Sequence, residues 1–115
     1  MARHTQPITR ADIESVIDEA ARRLVEAAHP KTIILFGSYA RGDFDRGSDL
    51  DLLVILANVA NRFDEMVRLQ SVLRGLRMPI DIVVYSANQV EERQHLRGTM
   101  LYHALTEGRV LYDAP

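Results

Sequence analysis

Phe36-Gly37-Ser38-Tyr39-Ala40-Arg41-Gly42-Asp43-Phe44-Asp45-Arg46-Gly47-Ser48-Asp49-Leu50-Asp51 is the stretch on which the reading of this chain turns. It joins two apolar runs. Ahead of it, Thr32-Ile33-Ile34-Leu35-Phe36 is β-branched and apolar, and predicts a buried strand that stops at Gly37. Behind it, Asp49 to Leu56 predicts a second strand, apolar enough beyond its first three residues to be buried on both faces. Gly37, Gly42 and Gly47 among polar residues make the segment between them a loop, with room for one helical turn after Ser38.

Two carboxylates open the second strand. Side chains alternate across a strand, so Asp49 and Asp51 leave the same face while Leu50, Leu52 and Val54 take the other. Two ionised carboxylates held side by side repel and raise each other's pKa. A hard divalent cation removes that conflict, and oxygen ligands of this kind suit Mg²⁺, which shares its shell with water and substrate phosphates. Gly37 ends a strand where the backbone turns sharply and has no Cβ to keep a ligand from the main chain. Ser38 then offers a hydroxyl and a backbone N–H at a helix start, an arrangement suited to phosphate oxygens. Either half alone is weak. With glycine at about 7% of residues and serine and aspartate similar, the two at one fixed separation arise in about one chain per thousand.

Working outward, the apolar residues Ile13, Val16, Ile17, Ala20, Leu24 and Ala27 recur at helical spacing from Thr9 to about Ala28. Thr9 is the predicted N-cap, and Pro30 ends the helix by disfavouring helical geometry at His29. Asn61 caps a second helix reaching about Arg77, with Phe63, Met66, Val67, Leu73 and Leu76 expected inward and Asp64 and Glu65 in its first turn. Ile80 to Tyr85 predicts a third strand. Ser86-Ala87-Asn88-Gln89 has the form of a capping box and opens a third helix expected to reach Glu107, with Gly98 placed to kink or interrupt it. Gly108 stops that helix before a short strand from Arg109 to Tyr112. The order predicts an α/β (α+β) fold, a small mixed sheet of about four strands flanked by helices, as one domain over residues 1–115. If the second and third strands are parallel neighbours, Asp81 falls beside Asp49 and Asp51. A lone aspartate among Ile80, Ile82, Val83 and Val84 is costly unless it is paired, hydrogen-bonded or bound to metal.

At 115 residues, 47% hydrophobic and 26% charged, the chain has the size and mix of one globular domain. The net charge of -2 argues against direct nucleic-acid binding, which calls for a basic excess. The absence of cysteine excludes disulfides, zinc ribbons, iron–sulfur clusters and thiol nucleophiles. The most apolar run, Leu50 to Ala57, is interrupted by Asp51 and too short to span a bilayer. Met1-Ala2-Arg3-His4 leads into a charged segment unlike a signal peptide, so a soluble cytoplasmic protein is expected. A P-loop is ruled out because Asp43 stands where lysine is required and Lys31 is the only lysine. No dinucleotide fingerprint or nucleophile elbow is present. His4, His29, His95 and His103 show no zinc spacing. Arg68, Arg74 and Arg77 share one predicted helix, the pattern of a solvated face that can meet an acidic partner.

Gly37-Ser38, ten intervening residues and Asp49-Leu50-Asp51 resemble the Gly-Ser-x10-Asp-x-Asp signature of the DNA polymerase beta-like nucleotidyltransferase superfamily. Leu35 to Gly42, Ser48 to Val54 and the closing Glu107-Gly108-Arg109-Val110-Leu111-Tyr112 are similar to its minimal nucleotidyltransferase (MNT) branch. The resemblance covers the chain from Thr32 onward. It implies the polymerase beta-like fold, with Asp49, Asp51 and Asp81 as catalytic and metal residues for one or two Mg²⁺ ions. It implies nucleotide binding by Gly37 and Ser38, and Arg41 is placed to add a charge-assisted phosphate contact. The implied reaction moves a nucleoside monophosphate, AMP from ATP, onto a hydroxyl. Small MNT proteins resemble the antitoxins of pairs whose toxin is a HEPN (higher-eukaryote and prokaryote nucleotide-binding) protein, which implies a HEPN partner in a hetero-oligomer and a tyrosine acceptor. Two other readings stand beside this one: an antitoxin that neutralises by binding alone, and a transferase for a small molecule such as an aminoglycoside. Arg97 and His103 fit the Arg-x4-6-His pattern of HEPN ribonucleases, but those are helical bundles and this chain is rich in strands, so the match reads as coincidence.

Overall fold

The computed structural model describes residues 8–44 and 47–115. Expectations placed on Met1 to His4, and on Asp45 and Arg46 of the loop, lie outside the described residues. The elements are α1 (Arg10–Ala28), β1 (Thr32–Phe36), α2 (Ser38–Arg41), β2 (Leu50–Leu56), α3 (Arg62–Val72), β3 (Ile80–Ser86), α4 (Ala87–Arg93), α5 (Met100–Glu107) and β4 (Arg109–Asp113). The strands form one mixed sheet in the order β3-β2-β1-β4. β1 runs antiparallel to both β2 and β4, and β2 runs parallel to β3. That parallel step needs a crossover, which α3 supplies.

Local sequence explains the helix starts. Thr9 accepts from Asp12 N while Asp12 accepts from Thr9 N, a closed capping box. Asn61 accepts from Asp64 N, and Ser86 with Gln89 closes a second box. α1 and α3 cover one face, burying Leu24 and Leu69 against Leu35, Leu50, Leu52, Val54, Ile82 and Val84. On the other face the buried residues are Ile34, Leu53, Ile55, Leu101 and Ala104, packed under α4 and α5. Among the described residues no helix is long and apolar enough to cross a membrane.

The reading of α3 needs two corrections. Phe63 and Val67 do not face the core; they are 71% and 55% exposed. The buried stripe of α3 instead runs through Met66 and Leu69 to Leu73. At 100° per residue, Phe63 and Val67 fall on the flank beside it. The helix also ends at Val72 rather than near Arg77, with Arg23 of α1 donating to the carbonyls of Val72 and Arg74 at 3.2 and 2.9 Å. The third helix is interrupted, as the position of Gly98 allowed: α4 ends at Arg93, Gly98 takes φ 83°, and Thr99 then caps α5 through Tyr102 N. Arg97 and His103 fall on opposite sides of that new start, with His103 Nδ1 3.4 Å from Glu107.

Candidate active site

The chain turns sharply after β1. Gly37 has φ 79° and ψ -157°, a region that is essentially glycine's alone. A Cβ here would overlap Oδ2 of Asp51 and lie 3.3 Å from its Cγ. The bare backbone at Gly37 is therefore what lets the Asp51 carboxylate sit against the bend. Ser38 begins the single turn of α2, closed by Arg41 N to Gly37 O at 3.1 Å and Gly42 N to Ser38 O at 2.9 Å. Tyr39 stacks on Phe44 with ring centroids 4.3 Å apart, bracing that turn against the following loop. Sequence reasoning missed this pair; two aromatic residues flanking Gly42 were its only signal.

The ladders then align the acids. Phe36 pairs with Asp51 across the antiparallel ladder, and Asp51 pairs with Asp81 across the parallel one. By strand alternation both carboxylates leave the face that carries Leu53, Ile55 and Val83. Asp49 and Asp51 are half-buried and Asp81 is exposed. Burial pushes the Asp51 carboxyl above its ordinary value of 3.8, and the charges of Asp81 and Asp49 push it the same way, against the pull of Arg41. Asp81 is raised likewise by burial, by the Asp49 charge and by its hydrogen bond to Asp49. The three carboxylates thus feel one another, and Arg41 acts on the same cluster. Arg41 itself rests on Asp43, Nε to Oδ2 at 3.2 Å. Ser48 is half-buried immediately before Asp49.

Gly37, Ser38, Arg41, Asp49, Asp51 and Asp81 accordingly gather at one end of the sheet, where β1 ends and β2 and β3 begin. Among the described residues, however, no three acidic or histidine side chains form a ready metal cage. A like-charged carboxylate set in which Asp51 and Asp81 are raised still suits Mg²⁺, which takes one or two carboxylates and fills its shell with water and phosphate.

Residues 19–115 match the family described as polymerase beta, nucleotidyltransferase. The chain belongs to that family, in its minimal (MNT) branch. It is 38% identical over 84 residues to a candidate protein adenylyltransferase of Methanocaldococcus jannaschii, covering 71% of this chain and 78% of that protein. It is 33% identical over 82 residues to the protein adenylyltransferase MntA of Thermococcus cleftensis, covering 70% and 81%. In fold, a candidate nucleotidyltransferase from Sulfolobus solfataricus superposes with a TM-score of 0.60 at 21% identity, over 95% of this chain and 93% of that one. A toxin–antitoxin crystal structure with AMP-PNP superposes at 0.53 with 26% identity, over 84% and 73%. This MNT protein is a nucleotidyltransferase enzyme.

Proposed function

We propose that this MNT chain, acting as a single catalytic domain in the cytoplasm, is an Mg²⁺-dependent adenylyltransferase. It moves AMP from ATP onto the tyrosine hydroxyl of a HEPN-type toxin partner and so acts as the antitoxin. One observation carries the reading: Asp51 and Asp81 occupy paired register positions, and the glycine–serine bend packs directly on Asp51. The names of the adenylyltransferase relatives and the toxin–antitoxin neighbour support the nucleotide and the partner.

In this reading Asp49 and Asp51, joined by Asp81, would hold one or two Mg²⁺ ions, which neutralise triphosphate charge and the leaving pyrophosphate. Gly37 and Ser38 hold the β- and γ-phosphates through backbone N–H and hydroxyl donors. Arg41 adds a charge-assisted contact by exchanging Asp43 for phosphate. Asp81 orients the acceptor hydroxyl and takes its proton. The acceptor oxygen bonds to the α-phosphorus as the bond to the bridging oxygen breaks, and pyrophosphate carries away that electron pair.

The test incubates the chain with α-labelled ATP, Mg²⁺ and the protein product of the adjoining reading frame. Label should reach a tyrosine of that protein, and should be lost with chelator or in Asp49→Asn, Asp51→Asn or Asp81→Asn. Full neutralisation by those same variants would sink the catalytic reading in favour of occlusion.

A further inference from the structure

Among the described residues, Phe63 and Val67 on the exposed flank of α3 join neither buried cluster. Phe63, Val67 and Gln70 follow one another at helical spacing on α3, with Arg74 in the turn after it, and they border a groove of about 610 Å³ whose floor includes Met78, Ile80 and Ile82. We propose that this groove receives an amphipathic helix of the acceptor protein, one that pairs an apolar stripe with an acidic side chain.

Three observations select that occupant. First, an added β-strand is disfavoured. Two outer carbonyls of β3 are already capped from α3, Val84 O by Arg62 Nε at 2.6 Å and Ile80 O by Gln70 Nε2 at 2.5 Å. With those two acceptors occupied the edge is a poor template for a further strand, and the groove favours side chains from a helix. Second, Arg74 lines the groove without a carboxylate among the described residues. Its neighbours are engaged, Arg68 with Glu65 and Arg77 with Asp12 at 3.5 Å. A cation at the rim of an apolar groove calls for an Asp or Glu from the incoming helix. Third, the apolar area is small for a second copy. Phe63 and Val67 supply a few hundred Å² at most, whereas a stable dimer buries about 800 Å² per partner. An acceptor protein meets that requirement with two footholds, because the groove ends at Pro79 and Ile80 at the sheet edge, where Asp81 leaves the opposite face of the same strand. The helix in the groove and the hydroxyl in the site then lie on the two faces of one edge strand, and the partner wraps the start of β3 to reach both.

The inference rests on the reading that a protein delivers the hydroxyl, and the experiment separates the two. Binding of the adjoining-frame protein is measured by calorimetry for the wild type, Phe63→Ser/Val67→Ser and Arg74→Glu. AMP transfer and binding of a fluorescent ATP analogue are followed in parallel. Both variants should keep their thermal midpoint and nucleotide affinity and lose at least tenfold in affinity for the protein. Unchanged affinity in both overturns the groove, even where transfer proceeds. Lost affinity without any transfer keeps the groove and removes the adenylylation reading. A wild-type chain that binds no such protein, or that self-associates through Phe63 in sedimentation, overturns the groove as well.

Discussion

The two faces of the sheet are built to different depths. Under α1 and α3 the interior is continuous, from Ile13 through Leu24, Leu52 and Leu69 to Val84. Under α4 and α5 it is a patch around Leu53, Leu101 and Ala104. Asp51 and Asp81 emerge on the thin side, at the end where the strands begin. Carboxylates on a deeply packed face would carry a desolvation cost of several kcal/mol each. On the thin face they stay half-exposed or exposed, and a triphosphate can reach them. One side holds the chain together and the other is left open for chemistry.

The largest expected effect tests that division directly. Asp51→Asn should lower AMP transfer by about 10³-fold or more, since it removes a carboxylate that meets the metal and the phosphates. Its thermal midpoint without metal should not fall, because the substitution relieves like-charge repulsion from Asp49 and Asp81. Leu24→Ala should behave in the opposite way. Leu24 is fully buried on the deep face, so urea unfolding should show a loss of about 2–5 kcal/mol, with transfer per folded molecule retained. Comparable losses of activity in the two would break the comparison.

Gly37→Ala sits where the two roles meet and should affect both. The backbone conformation alone costs about 1–3 kcal/mol for a residue with Cβ. The added methyl also displaces the Asp51 carboxylate, so transfer falls beyond what the lost stability explains. Gly42→Ala is the control: its φ of 86° is also strained, but a Cβ there meets nothing within 4 Å. Transfer in that variant should follow its folded fraction. A smaller change is expected from Arg62→Ala. It leaves Val84 O without its donor and removes the guanidinium 4.1 Å from the Tyr85 ring centroid, about 1–2 kcal/mol in denaturant unfolding. Arg62 lies at the opposite end of β3 from Asp81, so nucleotide affinity should not move.

The parts legible in sequence are those fixed by short-range chemistry. Thr9, Asn61 and Ser86 announce helix starts because each carries an oxygen that accepts from an N–H three residues on. Asp81 was legible as a neighbour of Asp51 because a strand–helix–strand crossover makes parallel partners. The flank of α3 was not. Phe63 and Val67 continue an apolar pattern that Met66, Leu69 and Leu73 already satisfy, and periodicity cannot say which of two adjacent stripes meets the sheet. Nor does spacing along the chain tell that Gln70 and Arg62 reach the outer carbonyls of β3. That depends on where α3 lies over the edge. The break before α5 was half visible: Gly98 offered the turn, but Thr99 as a new cap shows only once the turn is made.

The smallest effect distinguishes the faces by the sign of their acid response. Glu19 on α1 is held down to about 2 by hydrogen bonds from Arg22 and Arg23, below its ordinary 4.5. Its contribution to stability is therefore present above 4.5 and is lost as the pH falls toward 2. Asp51 and Asp81 are raised above 3.8, so the metal-free folded state holds their protons more tightly than the unfolded chain does. Their contribution is full below 3.8 and is lost as the pH rises through the raised values. Thermal midpoints taken from pH 3 to 7 in chelator should show opposite slopes for the two groups. Glu19→Gln should flatten the fall on the acid side, and Asp51→Asn should remove part of the decline as the carboxylates ionise. Added Mg²⁺ should oppose that decline in the wild type more than in Asp51→Asn, since a bound cation favours the ionised carboxylates. Identical pH profiles for wild type and Asp51→Asn would mean that Asp51 titrates as an ordinary solvated aspartate, and the thin face would then hold no coupled acid cluster.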